Sequence, residues 1–159
     1  MIVRVRPATA ADIDLIHGFV VSLAVYEKLE HTVEATPADF ARLLFDAPPA
    51  AFSEIVEIDG RPVGFSLSFY SVSTFTGRQG IWLEDLFVID EARGKGAGLA
   101  LLKSLAARCV AEGLPRLEWS VLNWNAPSIA FYDQLGSEAM SGWHNRRLTG
   151  EALERLAAS

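Results

Sequence analysis

The run Leu86-Phe87-Val88-Ile89-Asp90-Glu91-Ala92-Arg93-Gly94-Lys95-Gly96-Ala97-Gly98-Leu99 is the most informative part of this chain. An apolar strand enters a glycine-rich turn, and an amphipathic helix follows at once, with Leu99, Leu101, Leu102, Leu105 and Ala106 on its apolar face. Glycines at alternate positions, Gly94, Gly96 and Gly98, let backbone N–H groups converge without Cβ atoms in the way. The helix amino terminus adds unpaired donors and partial positive charge. Arg93 and Lys95 bring full charges to the same spot. Together these features predict a pyrophosphate cradle.

Upstream, Ile81 to Val88 reads as a strand, nearly all apolar except for Glu84-Asp85. Before it, Ile55, Val56 and Ile58 lead into Asp59-Gly60, a favoured tight-turn pair. Val63, Phe65, Leu67 and Phe69 alternate on the way back, completing a hairpin. Ile2 to Arg6 alternates as a half-buried strand does, and Thr9 with Asp12 resembles a helix-capping pair. Ile13, Ile16, Phe19, Val20, Leu23 and Ala24 follow at helical spacing as one buried stripe. Thr36-Pro37 starts a second helix, with Phe40, Leu43 and Leu44 on its apolar face.

Downstream, Gly113 and Pro115 end the long helix, and Leu117 to Leu122 reads as a strand. Pro127 to Leu135 forms a short helix closed by Gly136, Trp143 to Leu148 a last strand, and Thr149 opens a terminal helix. Strands mixed with crossover helices predict one α/β (α+β) domain over residues 1–159, with a mixed central sheet.

Composition narrows the function classes. With 159 residues, half of them hydrophobic, the chain is long enough to bury a core. A net charge of −6 argues against a broad nucleic-acid surface and suits cationic partners. One cysteine, Cys109, allows no internal disulfide and no cysteine metal cluster. Met1 to Pro7 lacks the apolar run of a signal peptide, and no stretch approaches the roughly 20 apolar residues that span a bilayer. The expectation is a soluble cytoplasmic protein without membrane or nucleic-acid partners. His17, His31 and His144 have no metal-ligand spacing, so no metal is expected.

The glycine turn is neither a Walker loop nor the dinucleotide fingerprint, because the required spacings are absent. It fits Arg-x-x-Gly-x-Gly, read as Arg93, Gly96 and Gly98, and so resembles the coenzyme-A-binding motif of the GCN5-related N-acetyltransferase (GNAT) superfamily. A second stretch, Asn123-Trp124-Asn125-Ala126-Pro127-Ser128-Ile129-Ala130-Phe131-Tyr132-Asp133-Gln134-Leu135-Gly136, resembles that superfamily's later motif. The likeness covers nearly the whole chain. It implies a mostly antiparallel mixed sheet flanked by helices, acetyl-CoA as cosubstrate, and a homodimer.

Tyr26-Glu27, Leu83-Glu84-Asp85 and Trp124-Asn125 look most like diamine (spermidine/spermine) acetyltransferases. Val121 to Asn125 and Leu148 to Leu153 lean toward the thialysine-acetylating branch. The resemblance implies cofactor contacts from Leu86, Phe87, Val88, Arg93, Gly94, Lys95, Gly96, Ala97, Gly98, Leu99, Asn125, Pro127, Ser128 and Tyr132. Leu86, Phe87 and Val88 would offer main-chain groups to the pantetheine amides, as an added strand does. Tyr26, Glu27, Glu84, Asp85 and Trp119 are the expected amine-site residues.

The chemistry fits these residue types. An alkyl ammonium has a pKa near ~10 and must lose a proton before it attacks a thioester. Glu84 is the expected general base, through a water, and Tyr132 the general acid for the departing thiolate. Glu84 and Asp85, adjacent in a strand, are expected to face opposite sides of the sheet. The acidic residues that polyamine-specific members carry before the Glu-Asp strand are missing from Ser73 to Gly77, and only Glu138 stands near Ala139 to Gly142. This favours a shorter amine, such as a lysine-like amino acid. Other readings stay open: a silent CoA-binding sensor or interaction module, or an acetyltransferase for protein or antibiotic amines. Structural explanations also stand: a strand-end ion pair for Glu84, helix packing for Tyr132, a solvated helix end for Tyr26-Glu27, and a buried inert thiol for Cys109.

Overall fold

The alternation on either side of Asp59-Gly60 becomes a hairpin, and the sheet extends from it on both sides. The computed structural model describes all 159 residues. Strands β1 (Val3–Pro7), β2 (Phe52–Ile58), β3 (Arg61–Ser73), β4 (Arg78–Val88) and β5 (Leu117–Trp119) lie side by side in chain order. The first three junctions are antiparallel. β4 and β5 run parallel, which requires the crossover supplied by α3 (Ala97–Glu112). Helices α1 (Ile13–Tyr26) and α2 (Pro37–Phe45) fill the link between β1 and β2. This is the mixed, mostly antiparallel sheet with flanking helices that the sequence predicts.

Both faces of the sheet are covered, because adjacent strand residues point opposite ways. Ile55, Phe65, Leu67 and Phe87 pack with Ile16, Phe19 and Leu23 of α1 and with Phe40 and Leu44 of α2. Their neighbours Val56 and Val88 pack with Ala97 and Leu101 of α3. Phe65 is fully buried and stacks on Phe19 at 5.7 Å between ring centres. Truncating such a ring to alanine typically costs about 3–5 kcal/mol. Leu43 departs from expectation: it lies off the α2 stripe and is exposed.

The chain divides into two compact units, Met1–Leu122 and Asn123–Ser159. The first holds the sheet with α1, α2 and α3; the second holds α4 (Ala126–Gln134) and α5 (Gly150–Ala158). Two expected strands differ from the structure. β5 stops at Trp119, because β4 offers it partners only from Ile81 to Leu83. The segment Trp143 to Leu148 forms no strand; it is exposed throughout and makes no ladder. No helix is long and apolar enough to cross a membrane.

Candidate active site

β4 changes character halfway along. Up to Leu83 it is paired on both sides, by β3 and by β5. Opposite β3 the register then slips: Ser68 faces Leu83 while the next residue back, Leu67, faces Asp85. Glu84 is therefore the extra residue of a β-bulge. A bulge bends its strand and re-aims the side chains around it. Beyond it, Glu84 to Val88 continue as strand past the end of β5. One edge of that segment thus carries main-chain groups that no β5 residue pairs.

The bulge also corrects the expectation that Glu84 and Asp85 face opposite sides. Directly opposed residues share a face, so Asp85 lies with Leu67 toward α1, and Trp82 lies with Phe69 on the same side. Glu84 accepts a hydrogen bond from Nε1 of Trp82 at 3.0 Å, which holds its carboxylate on that side as well. Glu84 is exposed and Asp85 half-buried. Burial, with the negative charges of Glu84 and Glu27, pushes the Asp85 carboxyl up to about 7. Glu27, just past the end of α1, is itself raised by burial. Glu27 and Glu84 both lie close enough to Asp85 for their charges to add to the burial that raises it.

The turn after β4 is built from two left-handed glycines. Gly94 and Gly96 have φ of 73° and 85°, and a Cβ would strain either. Gly96 is the N-cap of α3 and provides no side-chain cap, so the first-turn N–H groups of α3 remain donors. Gly98 is different. It is already helical, and a Cβ there would meet Leu86 and Val88 at ordinary contact distances of 3.8 and 3.9 Å. Lys95 is exposed beside these donors. Leu86 and Leu99 are half-buried, while Phe87, Val88 and Ala97 are buried. With their side chains buried, these last three have only main chain left to offer a ligand.

Arg93 behaves otherwise than its charge alone predicts. Its Nε donates to the Val88 carbonyl oxygen at 3.0 Å, and Nη1 pairs with Asp90 at 2.7 Å. The guanidinium lies over the Tyr26 ring at 4.5 Å and near the Phe87 ring at 5.7 Å. The first unit therefore brings Tyr26, Glu27, Glu84, Asp85 and Arg93 to one side of the sheet. Trp119, half-buried, pairs with Leu83 at the point where β5 ends.

In the second unit, Asn125 is the buried N-cap of α4, and its Oδ1 accepts from the Ser128 N–H at 3.4 Å. Pro127 sits in the first turn, where its missing N–H costs nothing. Tyr132 lies one turn further on, half-buried, its ring 5.5 Å from that of Phe131. The motif residues Asn125, Pro127, Ser128 and Tyr132 thus share one short helix.

Residues read as structural have structural surroundings. His17 contacts the Ala35 carbonyl oxygen at 3.0 Å, joining α1 to the segment before α2. Cys109 is buried against the Arg116 carbonyl, and burial pushes its thiol up. No three His, Cys, Asp or Glu side chains are grouped to hold a metal ion. Sequence reasoning missed the bulge, the elevated carboxyl of Asp85 and the packing of Arg93 on Tyr26. Two adjacent carboxylates inside an apolar strand were the one available signal for the first two.

The sequence matches the acetyltransferase (GNAT) family over residues 17–136. It is 34% identical to a thialysine N-epsilon-acetyltransferase of Bos taurus, over 98% of this chain and 97% of that protein. It is 30% identical to an L-ornithine N5-acetyltransferase of Arabidopsis thaliana, over 98% of this chain and 88% of the relative. Among solved structures, an integron cassette protein from the V. cholerae mobile metagenome superposes with a TM-score of 0.81 at 26% identity, covering 100% of this chain and 99% of that one.

Proposed function

This chain belongs to the acetyltransferase (GNAT) family and is an acetyltransferase; from that premise we propose that it acetylates a primary amine of a small molecule, with acetyl-CoA as donor. The acceptor is a lysine- or ornithine-like amino acid, or a short diamine. The observation that carries the acceptor class is the group Glu27, Glu84 and Asp85. An ammonium seated beside Asp85 would offset the burial and the like charges of Glu84 and Glu27 that raise its carboxyl. The names of the two relatives, an ornithine and a thialysine acetyltransferase, support the same class.

The residues present fit the cosubstrate. The β4 edge beyond Leu83 offers main-chain partners for amides, and the left-handed Gly94 and Gly96 leave the start of α3 open to a diphosphate. Acetyl-CoA, when bound, supplies an activated thioester. The main chain from Arg93 to Leu99 and the Lys95 ammonium hold its phosphates. Leu86, Phe87 and Val88 hold its arm, and Asn125, Pro127 and Ser128 add the contacts their motif implies.

Glu27 and Asp85 orient the acceptor ammonium, with Tyr26 and Trp119 as walls. Glu84 removes the proton through a water, leaving a neutral amine; Asp85, near neutrality, tunes that step. The Tyr132 hydroxyl donates a proton to the departing sulfur. Transfer is direct, and orientation of the amine contributes most of the acceleration. The whole chain, 1–159, acts as one acetyltransferase domain, working as a cytoplasmic homodimer.

Thiol release from acetyl-CoA, measured with ornithine, lysine, thialysine, putrescine, spermidine and spermine, tests the reading. The amino acids and putrescine are expected to exceed spermine in kcat/KM. Silence with every amine overturns the reading. In the same assay Tyr132→Phe should lose about 10²-fold in kcat while retaining CoA affinity.

A further inference from the structure

We propose that the Arg93 guanidinium is a positioning residue for the amine side of the reaction, clamping Tyr26 to the end of β4, and is not a ligand for the cofactor phosphates. The inference rests on the reading of Tyr26 and Glu27 as acceptor-site residues.

The guanidinium is engaged on its edge and on its faces. Nε is spent on the Val88 carbonyl, and Asp90 neutralises the charge from within the short turn Asp90–Ala92. Tyr26 and Phe87 lie within 4.5 and 5.7 Å of its central carbon. The ion pair alone contributes little, since the Asp90 side chain is 81% exposed. Combined with a carbonyl bond and aromatic contact, it fixes a planar group in one orientation. A phosphate ligand needs the opposite: a free edge directed at the anion. Lys95 and the N–H groups at the start of α3 already meet that requirement.

What the clamp holds is the end of α1. Tyr26 is the last residue of that helix, and Glu27 caps it, with its N–H bonded to the Leu23 carbonyl. Lys28 then takes φ of 61°, so the chain turns sharply just beyond the clamped ring. Glu27 is one of the two charges that raise Asp85. Fixing Tyr26 against β4 therefore sets where the Glu27 carboxylate stands relative to Asp85. One arginine ties the turn after β4 to the carboxylates that receive the amine.

Arg93→Met, Arg93→Lys, Tyr26→Leu and the double variant Tyr26→Leu/Arg93→Met separate the two roles. Calorimetry reads CoA affinity, and steady-state kinetics reads the amine KM and kcat. The clamp predicts a 5- to 10-fold higher amine KM in Arg93→Met, on the scale of one cation–aromatic contact, with CoA affinity changed less than about 3-fold. Arg93→Lys, which keeps charge but not the planar fork, fails to rescue, and also covers a Met variant that does not fold. Tyr26→Leu and Arg93→Met combine to less than the sum of their separate effects, because the contact between them is lost either way. A drop of 10-fold or more in CoA affinity, or full rescue by lysine, overturns the proposal. If the wild type turns over no amine, the functional reading fails separately. Calorimetry and the Tyr26 ring resonances, assigned with Tyr26→Phe, then decide the clamp: resonances unmoved by Arg93→Met overturn it.

Discussion

Two groups of acidic side chains in the first unit have the same raw material and opposite fates. Near β1, Asp12 and Glu57 share Arg6: Asp12 takes two bonds from the guanidinium, at 2.8 and 2.9 Å, and Glu57 takes the Nε at 2.7 Å. That pairing holds the Asp12 carboxyl down at about 2. At the bulge of β4, burial together with the charges of Glu84 and Glu27 drives Asp85 up to about 7. The first group stabilises the fold by supplying its own cation. In the second, every influence on Asp85 raises its carboxyl, as the acceptor site proposed above requires. Raised carboxyls in a cleft are the pattern of functional sites, whereas a satisfied pairing such as that at Arg6 serves as a joint.

The sharpest way to break this contrast is Asp85→Asn. We expect amine-dependent kcat/KM to fall about 10²-fold. In the wild type, kcat/KM should decline as pH drops through about 7, where the carboxyl gains a proton and stops attracting ammonium. The variant should lose that limb. Its apo form should melt at a higher temperature than wild type above pH 7, because a raised carboxyl costs stability once it ionises. A pH–rate profile with paired melting curves checks both signs. A variant that is inactive and also less stable breaks the contrast.

Asp12→Asn is the counterpart at the joint. The lowered carboxyl contributes about 2 kcal/mol, fully present above pH ~4 and lost as pH falls toward about 2. Urea unfolding at pH 7 should show that loss, with kinetic constants unchanged. A shift in amine KM would mean that the two groups are not independent.

Glu54 sharpens the comparison at the smallest scale. It is buried beneath α3, bonded through one oxygen to Ser104 at 2.8 Å, while its other oxygen has no partner. Burial raises its carboxyl, so its contribution is greatest below its unfolded value and fades as pH rises through the folded one. Glu54→Gln should flatten the loss of stability that sets in as pH rises above the ordinary carboxylate range. A steeper decline in the variant would contradict that account.

Much of the fold was legible because it rests on local rules. Asp59-Gly60 specified the hairpin; Asp59 with φ of 49° and Gly60 with φ of 80° adopt the left-handed turn such pairs favour. The helical stripe of α1 placed Ile16, Phe19, Leu23 and Ala24 in the core. Trp143 to Leu148 misled: only Trp143 among its residues favours a strand, and the segment finds no partner edge. Gly64 illustrates the reverse case. A Cβ there would collide with the Phe87 carbonyl oxygen, so glycine is required opposite Val88, yet nothing local in the sequence announces that contact.

By itself, the sequence determined the order of elements from β1 to α4, the left-handed glycine turn at the start of α3, and the presence of a carboxylate pair in β4. These depend on backbone preferences and periodicity within a few residues. Tertiary structure alone decided that Glu84 becomes a bulge, that Asp85 faces Glu27, and that Arg93 lies on Tyr26. Each of those outcomes depends on strand register and on the approach of α1 to β4. A register shift of one residue redirects every side chain that follows, and no local pattern encodes it.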